Sequence, residues 1–240
     1  MRKDYRPYYV KQAYLKFQKF YVERFLRPQF DHMGRGGAYM KPWNVELFGS
    51  NIRIGDFPTL IAAPDRKVRF TVWAGEPDIV GIDIGDYCLI CPGVRIAASR
   101  QISIGNSCMI ASGAYLTDSD WHDIYDRSMP VGKSAPIILE ENVWIGDSAI
   151  VCKGVTIGKN SIIGAGSVVV SDIPANVIAA GNPARVVREL DTNETMKTRA
   201  HWLSDPKKLS RDFDILDRAQ LKGNTLLGWM RSVFFPRTGD

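Results

Sequence analysis

Aliphatic residues recur every six positions along the middle of this chain. From Ile145 the sequence divides into IGDSAI, VCKGVT, IGKNSI, IGAGSV, VVSDIP and ANVIAA, and an aliphatic residue opens the first five blocks. The same phase appears from Ile84 and from Ile104, and more weakly from Ile54. A sandwich strand would alternate with period two, and an amphipathic helix would not place Gly and Pro so densely. The pattern therefore indicates a repeat of short strands.

A six-residue period is typical of a short strand followed by a tight turn. The aliphatic side chain points into the core, Gly permits the turn, and a small residue fills the remaining interior. Three blocks make a triangular coil of 18 residues, which stacks Ile145 and Ile163 one coil apart. The step from Ile84 to Ile104 is 20 residues, which predicts a two-residue bulge near 97–100.

The repeat is broken once within this region. After Leu116 the next residue in phase is Leu139, and TDSDWHDIYDRSMPVGKSAPII (117–138) lies between them. This polar, aromatic and proline-containing stretch cannot fill a coil, so we expect it to project as a loop, the kind of segment that commonly carries function. It contains His122.

The flanks differ in character and divide the chain into three parts. Within an N-terminal segment, 1–43, apolar and basic residues at helical spacing over 8–26 predict an amphipathic helix. The repeats occupy 44–190, and 191–240 is a charged C-terminal extension that ends in an apolar, aromatic run. The predicted fold class is mainly β, a parallel β-helix with an ejected loop and two extensions.

Composition narrows the location more than the function. The chain has 240 residues and a net charge of +5, and residues 1–27 hold eight basic against two acidic residues. This excess does not by itself indicate nucleic acid, and we predict no nucleic-acid partner. We find no apolar run long enough to span a membrane and no secretory signal pattern. We expect a cytoplasmic protein, with the inner face of the membrane as the alternative location.

The four cysteines predict neither disulfides nor a metal centre. Their spacing makes no disulfide framework, which favours a reducing compartment. Cys88 and Cys91 form one C-x-x-C pair, whereas a zinc site of this type needs further ligands. The repeat gives Cys88 and Cys108 the same place in successive coils, so both are interpreted as small inward-packing residues.

The segment NVWIGDSAIVCKGVTIGKNSIIGAGSVVVSDIPANVIAAGNPARVVREL (142–190) resembles the C-terminal half of hexapeptide-repeat O-acetyltransferases of the galactoside and maltose group. The resemblance covers 82–190, weakens over 44–81 and does not extend to either flank. It implies a left-handed β-helix, an exception to the right-handed crossover rule, assembled as a homotrimer. It also implies that acyl-CoA lies in a cleft between adjacent subunits.

The resemblance assigns roles to individual residues. His122 corresponds to the loop histidine that acts as general base on the acceptor hydroxyl. Trp144 matches a tryptophan that borders the active site, and the turn that holds Ala165 and Gly166 matches the backbone beside the pantetheine arm. The basic residues that follow the GNPAR turn and reach the nucleotide phosphates correspond to Arg185 and Arg188.

Two departures from the family pattern bear on the ligands. The lysine that often precedes the aspartate of the DIP motif is Ser171, so phosphate recognition depends more on the two arginines, with Lys159 as a further candidate. The Asn and Asp of the galactoside enzymes' acceptor pocket align with Cys91 and Ser99. The acceptor is therefore not expected to be a simple galactoside.

The residue types suit direct acyl transfer. An alcohol is a poor nucleophile at neutral pH, and an imidazole can take its proton as it attacks a thioester. A backbone N–H at Ser148 or Ala149 is the predicted donor to the developing oxyanion. A carboxylate or backbone carbonyl should hold the other imidazole nitrogen, and the sequence leaves three carboxylates open: Asp118, Asp120 and Asp123.

Other functions fit the sequence less well. A metal enzyme on this scaffold, like the β-helical carbonic anhydrases, needs three histidine ligands between subunits, whereas His122 is the only histidine in the predicted repeat region. A non-catalytic binding scaffold leaves the histidine loop without a purpose. A sugar-nucleotide-modifying enzyme would need an added nucleotide-binding domain, and 1–43 is too short to form one. A sugar or glycan acceptor is favoured over an antibiotic or amino sugar. The basic N-terminal stripe is interpreted as packing on its own trimer, with an anionic membrane surface as the alternative.

Overall fold

The computed structural model describes residues 3–73 and 79–238, in which short strands form three parallel-stranded sheets. Each coil gives one strand to each sheet in turn. Sheet A contains β1 (His32–Met33), β4 (Ile52–Ile54), β7 (Gly81–Ile84), β10 (Gln101–Ile104), β13 (Ile137–Leu139) and β16 (Thr156–Ile157). Sheet B contains β2 (Ala38–Met40), β5 (Thr59–Ile61), β8 (Leu89–Ile90), β11 (Met109–Ile110), β14 (Trp144–Ile145), β17 (Ile162–Ile163), β19 (Val177–Gly181) and the antiparallel β20 (Ala184–Glu189). Sheet C contains β3 (Val45–Phe48), β6 (Val68–Val72), β9 (Arg95–Ala98), β12 (Tyr115–Thr117), β15 (Ile150–Val151) and β18 (Val168–Val169).

The stacking of the coils follows the predicted period. Ile145 pairs with Ile163, and Ile84 pairs with Ile104. All four side chains are buried, because inward-facing aliphatic residues of successive coils form one continuous core. The two extra residues of the 20-residue step lie at 99–100, between β9 and β10.

The first coil begins earlier than the predicted boundary at residue 44. His32 pairs with Arg53 and Met33 with Ile54 in sheet A, and residues 38–40 already pair with β5 in sheet B. This coil lacks the Ile-Gly openings of the later coils, so the sequence pattern alone does not identify it. His32 therefore lies on a strand of the β-helix.

Small polar and sulfur-containing side chains fill the corner between sheets A and B. Cys88 and Cys108 are completely buried there, as predicted, and the Cys88 thiol lies 3.2 Å from the carbonyl oxygen of Gly105. The hydrogen bond with Cys108, reinforced by burial, raises the pKa of the Cys88 thiol well above its usual value. Both cysteines are therefore packing residues.

The helices lie in both of the compact units into which the chain divides. One unit runs from Tyr21 to Trp202, and the other combines the residues up to Phe20 with those from Leu203 onward. No helix in the described residues is long and apolar enough to cross a membrane. The helices are α1 (Tyr8–Tyr21), α2 (Arg199–Trp202), α3 (Pro206–Gln220) and α4 (Leu226–Phe234), with short helical turns at Val22–Leu26, Arg27–Gln29 and Pro42–Asn44.

Candidate active site

Residues 118–136 form one excursion between β12 and β13. Its base is closed by a bridge between Ser119 and Ser134 and by the Ala135 amide, which donates to the carbonyl oxygen of Asp118 at 2.9 Å. The coil on each side keeps its register, since Ile104 of β10 pairs with Leu139 of β13. The segment therefore leaves and rejoins the coil without displacing the scaffold.

The buried carboxylate of Asp118 fixes the start of this loop to the two-residue bulge. It accepts hydrogen bonds from the amides of Ser99 at 2.7 Å, Arg100 at 2.8 Å and Gln101 at 2.7 Å. The Ser119 hydroxyl donates to it at 2.7 Å, and Asp118 has no exposed surface. Asp118 is thus a structural anchor, and Ser99, an acceptor-pocket position by resemblance, is held by it.

His122 is exposed on the loop, and its Nδ1 lies 3.3 Å from the carbonyl oxygen of Met129. A carbonyl oxygen can only accept, so this contact places the imidazole proton on Nδ1 and leaves Nε2 as the basic nitrogen. Of the orienting groups that the sequence left open, a backbone carbonyl is the one the structure supports.

The nearby carboxylates have other partners. Asp120 pairs with the ammonium group of Lys153 at 2.6 Å. Asp123 accepts the amides of Tyr125 at 2.9 Å and Asp126 at 3.0 Å, and these backbone hydrogen bonds lower the pKa of Asp123. These side chains shape the loop around His122.

The residue before His122 is tied to the outer face of sheet C. The indole N–H of Trp121 lies 3.2 Å from the Tyr115 hydroxyl and 3.1 Å from Thr117 Oγ1. The sequence analysis did not identify this contact of Trp121. Its partners lie on β12, and which side chains of that strand face outward becomes known only from the folded coil. The contact fixes the position of His122 along the loop.

Trp144 stands in an outward-facing row across sheet B. It pairs with Met109 on one side and with Ile162 on the other, and Ile162 pairs with Ile178, which pairs with Arg188. Paired residues of neighbouring strands share a face, so Trp144 and Arg188 lie on the same surface, about 14 Å apart across three strand spacings. Arg185 follows on that surface, paired with Ala180.

The turn residues predicted beside the pantetheine arm are accessible. Ala165 and Gly166 are exposed, and nothing lies within 4 Å of the place where a Cβ at Gly166 would point. The Gly166 amide donates to the carbonyl oxygen of Asp147 at 2.8 Å. This turn joins sheet B to sheet C, at the edge of the row that contains Trp144.

The amides of Ser148 and Ala149, the predicted donors to the oxyanion, have backbone acceptors within the chain. The Ser148 amide donates to the carbonyl oxygen of Ser112 at 2.8 Å. The Ala149 amide donates to the carbonyl oxygen of Gly146 at 3.3 Å. Ala149 is completely buried, whereas the Ser148 hydroxyl donates to Asp147 at 2.7 Å. The Ser148 N–H is therefore used in the stacking of the coils, and the Ala149 N–H is used within its own turn.

Within one chain, His122 and the residues predicted to bind the donor lie on different parts of the β-helix. The loop with His122 leaves the coil between sheets C and A, whereas Trp144 lies on sheet B and Ala165 on the corner between B and C. No hydrogen bond within the described part of the chain joins His122 to either residue. The described residues also contain no group of three or more His, Cys, Asp or Glu side chains that could hold a metal ion.

Comparisons with known proteins agree with this architecture. The family model described as "Bacterial transferase hexapeptide (six repeats)" matches residues 136–171. Galactoside O-acetyltransferase of Escherichia coli (strain K12) is 43% identical over 174 residues, which are 72% of this chain and 70% of that protein. The putative colanic acid biosynthesis acetyltransferase WcaF of the same organism is 34% identical over 60% of this chain and 72% of its own length.

A solved structure shows the same fold. It is a mutant of AntD, an N-acyltransferase from Bacillus cereus, in complex with dTDP-4-amino-4,6-dideoxyglucose and coenzyme A. The TM-score is 0.51 at 19% sequence identity, and the match covers 80% of this chain and 94% of AntD. With the repeats, the sheets and the galactoside O-acetyltransferase match together, the chain belongs to the hexapeptide-repeat acyltransferase family and is an enzyme of the group that includes the galactoside O-acetyltransferases.

Proposed function

We propose that this protein transfers an acetyl group from acetyl-CoA to a hydroxyl group of a sugar or glycan, on a left-handed β-helix that assembles as a homotrimer. The names of two relatives, a galactoside O-acetyltransferase and a colanic acid biosynthesis acetyltransferase, support a saccharide acceptor. The observation that carries the proposal is the loop histidine whose Nδ1 is held by a backbone carbonyl.

His122 acts as the general base. With Nδ1–H donated to Met129, Nε2 accepts the proton of the acceptor hydroxyl as its oxygen forms a bond to the acetyl carbon. The carbon–sulfur bond breaks in the same transfer, and the imidazolium returns the proton to the departing thiolate. No acyl-enzyme forms, so the chain needs no nucleophilic side chain.

The outer row of sheet B fits the donor. Acetyl-CoA supplies a thioester activated for transfer, on a long arm that ends in phosphates. Trp144, Ile162 and Ile178 present apolar surface along the row, and Arg188 with Arg185 supplies positive charge at its end. The open space at Gly166 leaves room for an arm to lie close to the backbone.

A site shared between subunits explains why His122 and the donor row start from different corners of one chain. His122 of one subunit would face the donor row of its neighbour. The test is complementation: co-expressed His122→Ala and Ala165→Trp chains should regain activity that neither has alone, because mixed trimers contain some sites with both residues intact. No recovery in mixed trimers would mean that one chain supplies both groups.

Acetyl transfer is tested by thiol release from acetyl-CoA across a panel of sugars, oligosaccharides, amino sugars and antibiotics. His122→Ala should lower kcat by roughly 10²- to 10⁴-fold while CoA binding is retained. His201→Ala, which changes an exposed histidine on α2, is the matched control and should leave kcat unchanged. Full turnover in His122→Ala would refute the mechanism.

The panel also decides between acceptor classes. Turnover only with an antibiotic or amino sugar would favour the small-acceptor alternative. Acetyl-CoA consumption with none of the acceptors, together with tight saccharide binding, would favour a non-catalytic scaffold.

The unit formed by both chain ends has the character of a membrane-contacting surface. Leu227, Phe234 and Phe235 near the end of the chain are 79%, 67% and 75% exposed. The described residues of this unit include twelve basic and five acidic side chains. Exposed apolar residues with surrounding positive charge favour the surface of an anionic bilayer, so we extend the proposal to peripheral contact at the inner membrane face.

Vesicle sedimentation tests this contact. The protein should bind vesicles that contain phosphatidylserine more tightly than neutral vesicles, and Val233→Ser on α4 should weaken binding by about tenfold. Val170→Ser is the matched control, since the two valines are 56% and 53% exposed and Val170 lies in the other unit. Equal binding of both variants would refute the assignment of the surface to α4.

A further inference from the structure

A groove of about 320 Å³ lies on the outer face of sheet C, beside the corner that joins sheets B and C. It does not include the residues assigned above to the donor or to general base catalysis. Four of its lining side chains are cationic, and one is acidic. The lining consists of Pro64, Asp65, Arg66, Lys67, Arg69, Gly93, Arg95 and Gly113.

An enlarged corner of the chain builds one wall of the groove. Leu60 pairs with Ile90 and Arg69 pairs with Arg95, so residues 61–68 span a corner that residues 91–94 span in the next coil. The additional residues form a tight turn in which the backbones of Ala63 and Arg66 exchange hydrogen bonds of 3.1 and 3.2 Å. This turn projects from the corner and carries Arg66 at its base.

Two stacked glycines leave the floor of the groove without side chains. Gly93 and Gly113 have φ values of 80° and 71°, which disfavour other residues. The Gly93 amide donates to the carbonyl oxygen of Arg66 at 3.0 Å, which holds the projecting turn against the next coil. A ligand in the groove can therefore approach the backbone closely.

The positive charges of the groove are only partly offset. Lys67 and Arg69 share the carboxylate of Glu46 at 2.5 and 2.8 Å, and these two cations lower the pKa of Glu46. Arg66 and Arg95 form no ion pair with any described residue. These two arginines are the available cations.

Arg95 is held in a position that suits anion recognition. Its guanidinium lies over the ring of Tyr115, 4.1 Å from the centroid. Stacking orders the guanidinium while its N–H groups stay at the edge, where they can bind a carboxylate or phosphate in a bidentate manner. Pairing in sheet C places Arg69, Arg95 and Tyr115 in one row.

The same tyrosine links the groove to the catalytic loop. Its hydroxyl accepts the indole N–H of Trp121 at 3.2 Å, and Trp121 directly precedes His122. A ligand bound at Arg95 would therefore lie on the face of sheet C to which the loop is anchored. This shared face favours the acceptor as the ligand of the groove.

We infer that this groove binds an anionic group of the acceptor, a uronate carboxylate or a sugar phosphate, through Arg66 and Arg95. The inference rests on the proposed acetyl transfer and narrows its acceptor class to acidic saccharides. Because the arginines are exposed, added salt should weaken recognition of the charged acceptor more than that of a neutral one.

The test compares acceptors that differ only in charge. Glucuronate-containing and glucose-containing oligosaccharides of equal length form one pair, and glucose 6-phosphate and glucose form the other. The charged acceptor of one pair should have the higher kcat/KM, and the pair that shows the difference identifies the carboxylate or the phosphate as the anion. Arg66→Gln and Arg95→Gln should each raise KM for that acceptor by roughly 10- to 100-fold, with kcat and KM for acetyl-CoA retained.

Two controls separate this effect from lost folding or lost charge. Arg53→Gln removes an exposed arginine from sheet A and should leave all parameters unchanged. Arg95→Lys keeps the charge without the planar fork, so it should recover only part of the affinity. Thermal unfolding of each variant verifies the fold.

Calorimetric titration of His122→Ala with the acidic oligosaccharide separates the groove from the proposed function. If no saccharide is acetylated but this binding is lost on adding Arg66→Gln, the groove assignment stands and the acetyl-transfer proposal fails. Equal kcat/KM for charged and neutral acceptors, unaffected by either arginine variant, would overturn the groove assignment alone. A selective rise in KM for acetyl-CoA would also overturn it, by assigning the groove to the donor phosphates.

Discussion

The buried carboxylate of Asp118 permits a quantitative prediction about the loop that carries His122. Asp118→Ala removes the completely buried carboxylate that accepts the three backbone amides at 99–101, so those N–H groups lose their acceptor. Each hydrogen bond to a charged acceptor contributes about 1.5–3 kcal/mol, although such contributions are not additive. We expect the free energy of unfolding to fall by about 3–5 kcal/mol, the range for breaking a buried charged network.

Asp118→Asn should be a poor rescue. One carboxylate oxygen accepts from both Arg100 and Gln101, and the other accepts from Ser99. Whichever way the amide is turned, its NH₂ group faces at least one N–H donor, so we expect about half of the loss to remain. Asp172→Asn is the control, since this exposed aspartate accepts the Thr156 amide at 2.7 Å and should cost less than about 1 kcal/mol.

Urea unfolding followed by circular dichroism measures the loss, and amide hydrogen exchange locates it. Protection at residues 99–101 should fall in Asp118→Ala, together with kcat, because the start of the loop is released. A loss of less than about 1 kcal/mol with unchanged protection would refute the anchoring role. Lower protection with unchanged kcat would show that the loop base is anchored without affecting His122.

Three further predictions follow from contacts of single side chains. Trp144→Ala should raise KM for acetyl-CoA by about tenfold in steady-state assays, because an exposed apolar contact is lost, and an unchanged KM would remove Trp144 from the donor site. Lys153→Met should lower stability by less than about 1 kcal/mol in urea, since its pair with Asp120 is partly exposed, and a larger loss would show that the pair acts as a buried one. Because the pKa of Cys88 is raised in the folded chain, there is a pH range above about 9 in which the thiol is ionised in the unfolded chain and still neutral in the folded chain. The contribution of Cys88 to stability should therefore be complete below pH 9 and fall above it by up to about 1.4 kcal/mol per pH unit. In urea unfolding at a series of pH values, stability should decline less steeply for Cys88→Ala, and an identical slope would refute this.

The repeat allowed most of the scaffold to be predicted from the sequence. Ile145 and Ile163 occupy stacked positions because only one residue in six points to the axis, so the period itself specifies the register. The same logic placed Cys88 and Cys108 in the core and the bulge near 97–100. The coil that starts at His32 was missed, since its strands pair through backbone groups without the Ile-Gly pattern.

The site was less predictable, because its contacts join positions that the repeat does not relate. Asp118 binds amides 17–19 residues earlier, a separation that depends on the extra length of one coil. Ser148 and Ala149 were predicted as donors to an oxyanion from the chemistry of acyl transfer, whereas their N–H groups have backbone acceptors in the preceding coil and in the same turn. The groove of Arg66 and Arg95 depends on an enlarged corner, whose size is visible only after the strands are paired.

The closed base of the 118–136 excursion has a consequence for how this enzyme can change. Since Ser119 and Ser134 are bridged and the coil resumes in register, the chain between them can vary in length without strain on the scaffold. Each doubling of such a segment costs only about 0.6 kcal/mol in closure entropy. Segments of other lengths and sequences can therefore replace this one while the stacked coils stay unchanged.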